Sequence, residues 1–148
     1  MAITTNAIAN SFKKELLEGK HDFTQTSGDQ FKLALYTSSA TLGASTTSFT
    51  TDNQVANSGQ YTSGGGKLAK GSQNTSVASG VAIVDFADRS FTGVTLTARG
   101  ALIYNTSNSN TAVAVLDFGG DKTATSGTFT IHNYGNRNLN FSRSGCWF

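Results

Sequence analysis

The stretch Phe91-Thr-Gly-Val-Thr-Leu-Thr-Ala-Arg-Gly-Ala-Leu-Ile-Tyr-Asn105 decides the fold. It contains two strand-like runs, Phe91–Thr97 and Arg99–Tyr104, joined at Ala98-Arg-Gly100, which reads as a bulge or tight bend rather than an open turn. A second paired unit follows at Thr111-Ala-Val-Ala-Val-Leu-Asp-Phe-Gly-Gly-Asp121. Nothing in these runs is arranged for chemistry. They are suited to forming a sheet and presenting a surface.

The composition around them agrees. Threonine (21), serine (17), asparagine (12) and glycine (16) occupy 66 of the 148 positions, while only 14% of residues are charged. Threonine favours pleated, half-exposed surface, and Asn, Gly and Ser favour turns, so the mixture predicts an all-β chain with many turns. Disorder would require few aromatics and a high net charge. The chain carries ten Phe and a net charge of +2, which points to a folded protein of one domain, residues 1–148.

The 11 basic residues are scattered along the chain and balanced by 9 acidic ones. Duplex binding needs a clustered basic stripe, so nucleic acid is not an expected partner. The single Cys146 excludes an internal disulfide and reads as a packed small hydrophobe. The start Met-Ala-Ile-Thr-Thr-Asn lacks the pattern of a signal peptide, and no apolar run reaches membrane-spanning length. Synthesis in the cytoplasm, with no membrane partner, is the expectation.

One amphipathic helix is expected over about 6–18. Thr4-Thr5-Asn6 offers capping oxygens, Ile8, Phe12 and Leu16 share one face, and Gly19 supplies the stop. Further strands are expected at 30–36, 67–69, 74–79, 81–86, 127–132 and 138–142, with 81–86 central because it is apolar on both faces. Together these predict a mainly β, antiparallel sandwich or jelly-roll-like barrel. Between Thr37 and Gln60 periodicity vanishes, which predicts a long loop or arm. Tyr61-Thr-Ser-Gly-Gly-Gly66 reads as a flexible corner.

Catalytic patterns are missing. There is no Gly-x-Ser-x-Gly elbow, and Gly64-Gly-Gly-Lys67 fails as a phosphate loop because Tyr61 and Leu68 stand where Gly and Ser/Thr are required. His21 and His132 are too few for most acid–base sites, so no enzymatic activity and no cofactor are expected. Asp85, Asp88, Asp117 and Asp121 could form a hard oxygen site if their strands were neighbours. The favoured reading is that these carboxylates cap backbone N–H groups in turns, leaving no metal. Exposed Tyr36, Tyr61, Tyr104, Tyr134 and Trp147 would suit sugar stacking, so a carbohydrate-binding module for host attachment stays open.

Thr4-Thr-Asn-Ala-Ile-Ala-Asn-Ser-Phe-Lys-Lys-Glu-Leu-Leu-Glu-Gly19 and Phe31-Lys-Leu-Ala-Leu-Tyr-Thr-Ser-Ser-Ala40 resemble the opening of small virion structural proteins of tailed bacteriophages. Thr95–Asn105 and Ala114–Gly119 are similar to the middle of the same group, and the resemblance extends to about Ile131. The tail Arg143–Phe148 departs from it. The resemblance implies a non-enzymatic virion part, a capsid decoration or cement protein on the head surface, with the major capsid protein as partner and a trimer as the expected homo-oligomer. A tail, adaptor or fibre component is the alternative it leaves. Within this reading Leu42, Phe49, Val55, Tyr61, Trp147 and Phe148 are the partner-contact candidates.

Overall fold

The structure, a computed structural model, describes residues 3–132, 139–142 and 145–147. It is mainly β, with antiparallel sheets and one short helix near the N-terminus. Its elements run β1 (Ala7–Ile8), α1 (Asn10–Leu17), β2 (Phe31–Tyr36), β3 (Gly66–Leu68), β4 (Lys70–Ala78), β5 (Val81–Phe86), β6 (Arg89–Asn105), β7 (Thr111–Ile131), β8 (Leu139–Ser142) and β9 (Gly145–Trp147).

The two decisive sequence units are one hairpin. β6 and β7 pair from Arg89↔Ile131 to Asn105↔Thr111, and they form the centre of a sheet ordered β1-β7-β6-β2-β3. What the sequence divides into four short strands is two long ones, because the suspected breaks are absorbed as irregularities. Between Ala98↔Lys122 and Gly100↔Asp117, residues 118–121 of β7 face the single residue Arg99, so the chain bulges outward and resumes pairing. A second register shift coincides with Ser126, at φ 46°, and a third with Gly93, at φ 63°.

The second sheet is ordered β4-β5-β8-β9. β5 is central in it, as expected, but only Val84 and Phe86 are buried, so it is apolar on both faces without being enclosed on both. Phe86 joins the sheets by packing on Phe31 at 5.5 Å, and Phe31 stacks on Phe23 at 4.7 Å. The result is sandwich-like. The jelly-roll-like barrel does not form, since the sheets are not closed into a barrel. The edge strands of the first sheet, β1 and β3, are two and three residues long and too short to carry pairing onward.

α1 starts at Asn10, later than the sequence predicts, and Ala9 precedes it without a side-chain cap. The reason is that Ala7 and Ile8 are drawn into the sheet against Val115 and Ala114. Asn6, expected as a cap, accepts the Asp117 N–H instead, at 2.7 Å. The helix ends as expected. With Gly19 at φ 69°, its N–H reaches the Leu16 carbonyl and that of Lys20 reaches Glu15, the paired bonds of a Schellman stop. Phe12 buries completely, Leu16 partly, and Leu17 points outward at 92% exposure.

The segment 37–60 contains no helix or named strand, but it is bonded to the body along its length. Val55 N–H reaches Leu35, Thr37 N–H reaches Asn53, Phe49 N–H reaches Asn110, and Ala112 N–H reaches Thr47. It completes the edge of β2, which extends beyond the short β3. There the Tyr61 hydroxyl accepts the Leu35 N–H at 2.8 Å and lies 3.3 Å from the Leu35 carbonyl, so a side chain replaces a missing strand. The glycine corner is likewise held, with the Tyr104 hydroxyl donating to Gly64 at 2.6 Å. Gly65 has φ 73°, and a Cβ there would collide with the Leu33 carbonyl.

Two outcomes follow from the enclosed tyrosines. Tyr61→Phe leaves the Leu35 N–H unpaired and is expected to lower unfolding free energy by about 1–3 kcal/mol in urea titration. Burial pushes the Tyr61 hydroxyl up to about 12, and burial also raises Tyr36 and Tyr104. Because the neutral phenol fits the fold, this stabilisation is whole below tyrosine's ordinary value near about 10 and is lost as pH rises further. Unfolding followed by circular dichroism, coincident with tyrosinate absorbance above about pH 10, is expected; ionisation at ordinary pH with the fold intact would contradict it.

Candidate functional site

The four aspartates singled out in the sequence do not come together as a metal site. Asp117 Oδ1 accepts the Gly119 N–H at 2.9 Å and lies 3.3 Å from Arg99 Nε, so it caps a turn and meets the arginine across the bend. Asp88 lies 2.7 Å from His132 Nδ1, and both are half exposed. Asp121 is exposed on the excursion from β7, and Asp85 is on β5 with one carboxylate oxygen buried and unpartnered. Among the described residues no three His, Cys, Asp or Glu side chains are placed to hold a metal ion. His21 pairs with Glu15 at 2.7 Å, but its side chain is 0% exposed, out of reach of any substrate in this structure.

The contact candidates from the sequence are largely interior. Tyr61, Val55 and Leu42 are buried, and Phe49 stacks on Tyr104 at 4.6 Å. This burial has a physical source: the isolated apolar residues of the aperiodic segment are the pegs that fasten it to the sheet. Trp147 lies in β9 with its side chain outside the description, and Phe148 and Tyr134 lie outside the described residues. The tyrosines proposed for sugar stacking, Tyr36, Tyr61 and Tyr104, are all buried.

The surface best shaped for a partner is the outer edge of β7. On that edge residues 47–49 bond to 110–112 and β1 pairs with Ala114 and Val115, and beyond Leu116 no strand among the described residues pairs with β7 there. Beside it runs a groove of about 670 Å³. Leu116, Phe118, Phe129 and Ile131 give it apolar surface, and Asn6 and Lys122 give it polar groups. The excursion builds one wall, since the bulge opposite Arg99 turns Phe118 toward Phe129, with ring centroids 6.0 Å apart. Asn6 and Arg99 fix the base of that wall through Asp117.

The sequence did not single out Phe118, Lys122 or Phe129. The available signal was Phe118-Gly-Gly interrupting a pattern that resumes as alternating threonine and apolar residues. No helix in the described residues is long and apolar enough to cross a membrane. Comparison with protein-family models, curated proteins and solved structures gives no match to this chain.

Asp117 is the keystone of the wall. Asp117→Ala removes the acceptor for Gly119 and Arg99 and is expected to cost about 1–2 kcal/mol in denaturant titration. Faster hydrogen exchange should be confined to residues 116–123; a uniform increase along β6 and β7 would show that the wall is not locally held.

Proposed function

We propose that this chain is a non-enzymatic structural protein of a tailed-bacteriophage virion, a decoration protein that sits on the capsid surface and grips the major capsid protein. The observation that carries the reading is the stretch of the outer β7 edge beyond Leu116, with which no strand among the described residues pairs, and the groove beside it. Gly127–Ile131, between the irregularity at Ser126 and the end of the strand, carries no charge and no proline. Such a stretch can accept an extended segment as an added strand, with alternate side chains entering the groove.

The resemblance of most of the chain, up to about Ile131, to small phage virion proteins supports the same reading, as do the low charge and the scattering of ionisable groups. Copies arranged as a closed trimer would span several shell subunits and multiply weak contacts. Binding to the assembled lattice would stabilise it by mass action. A tail, adaptor or fibre component would use the same surface at far lower copy number. The burial of Tyr36, Tyr61 and Tyr104 weighs against a carbohydrate-binding module.

Copy number per particle, measured by quantitative mass spectrometry of purified virions, tests the reading directly. A ratio near parity with the major shell protein is expected. A ratio of a few per cent would transfer the chain to the tail or neck, and absence from the particle would overturn the proposal. Thr128 is exposed beside the groove, so Thr128→Lys should leave the fold intact and reduce occupancy on heads by about tenfold or more.

A further inference from the structure

Four polar side chains converge where α1, residues 19–30 and the turn between β6 and β7 meet. His21 Nε2 lies 2.7 Å from Glu15 Oε2, and His21 Nδ1 lies 2.9 Å from Asn105 Nδ2. The same Asn105 nitrogen lies 2.7 Å from Asp29 Oδ2, while Asn105 Oδ1 accepts the Ser107 N–H at 2.9 Å. Asn105 is fully buried and the His21 side chain is 0% exposed.

Matching donors to acceptors assigns the protons. Turning the Asn105 amide over would set its oxygen against the Asp29 carboxylate and its nitrogen against the Ser107 N–H, so the orientation is fixed. Its two amide hydrogens then go to Asp29 and to His21 Nδ1. Nδ1 must therefore accept, which makes the imidazole neutral with its proton on Nε2, donated to Glu15. A second proton on Nδ1 would point at an N–H group 2.9 Å away, on a side chain that is 0% exposed.

We propose that this cluster is an acid-operated latch, in which protonation of His21 breaks its contact with Asn105 and frees α1 and residues 19–30 from the end of the β6–β7 hairpin. The groups around the ring make the conflict specific. From α1, Glu15 faces the imidazole, while Glu18 is engaged by Lys14 and Lys20. From the connecting segment, Asp29 shares the Asn105 amide and also accepts the Asp22 N–H, and Asp22 holds the Thr24 N–H. From β4, Lys70 donates to the Thr24 carbonyl. The hairpin contributes neutral groups: Asn105 at the ring, with Thr106 and Ser107 bonded to Gln30 and Asn108 to the Lys20 carbonyl.

The one ring nitrogen able to take a second proton faces a donor. Relief requires Asn105 to withdraw, and Asn105 is the member that belongs to the sheet. Opening would uncover Phe12, whose ring packs 4.7 Å from His21 and 6.0 Å from Phe23. The latch is independent of the proposed capsid role.

The test is nitrogen NMR of the His21 ring together with amide hydrogen exchange at about pH 8 and about pH 5, which bracket histidine's ordinary range. The expected result is the Nε2–H tautomer at the higher pH. At the lower pH, the doubly protonated ring should accompany a loss of protection of about tenfold or more over residues 10–30, with β6 residues 94–103 unchanged. His21→Gln keeps an acceptor for Asn105 and a donor for Glu15 without titrating, so its protection should not depend on pH. An Nδ1–H tautomer at the higher pH, unchanged protection at the lower, or an equal loss in His21→Gln would each overturn the latch. If His21→Gln does not fold, the tautomer and the regional exchange pattern of the unaltered protein decide the matter.

Discussion

Pairing of β6 with β7 is the constraint to which the other elements answer. One side of this ladder receives β2, from Phe31↔Asn105 to Tyr36↔Gly100, and the other receives β1 at Ala114 and Val115. The interior forms around the same residues, with Val94, Leu102, Val113 and Val115 fully buried. Such burial removes apolar surface from water at about 25 cal/mol per Å², the dominant favourable term in a chain with so few charges. Register is imposed most strictly over Phe91–Ala98, where buried Phe91, Val94, Leu96 and Ala98 alternate with exposed residues and a slip by one would turn them toward solvent.

Irregularity in the ladder is what gives the molecule a usable surface. A hairpin of unbroken pairing would present a plain edge. The four residues facing Arg99 raise a wall at Phe118, and Asp117 ties that wall to both β6 and the N-terminal segment. The same device limits unwanted association, since bulges at 118–121 and near Ser126 divide the open edge into short pieces. The surface left for a partner is therefore short, and recognition there depends on the groove as much as on backbone pairing.

The fold class was legible because period-two alternation at Phe91–Thr97 and in β2 is a local property of sheets, as is the glycine stop of α1. Strand continuity was legible only at Ala98-Arg-Gly100, which reads as a bulge or tight bend and proves to be a register shift. Gly119-Gly120 and Ser126-Gly127 carry the same residues whether a chain turns or bulges, and only the partner strand distinguishes the two. The fate of Thr37–Gln60 was hidden for a related reason: Val55 and Tyr61 serve an edge of β2 left vacant by the shortness of β3, a fact of tertiary arrangement. The wall that Arg99 and Asp117 support was not readable, since it requires knowing that β7 continues beyond it.

The pairing of Ala7 with Val115 also sets an order of assembly. During synthesis the residues that begin the chain leave the ribosome long before their partner exists, and β2 likewise waits for β6. Little of the first sheet can form until the hairpin is complete, so non-local contacts must be closed late and together. In that interval the apolar residues of β2 and the N-terminal segment have only transient shelter. The abundance of threonine and serine between them then serves the nascent chain, keeping it soluble while it lacks a sheet to join.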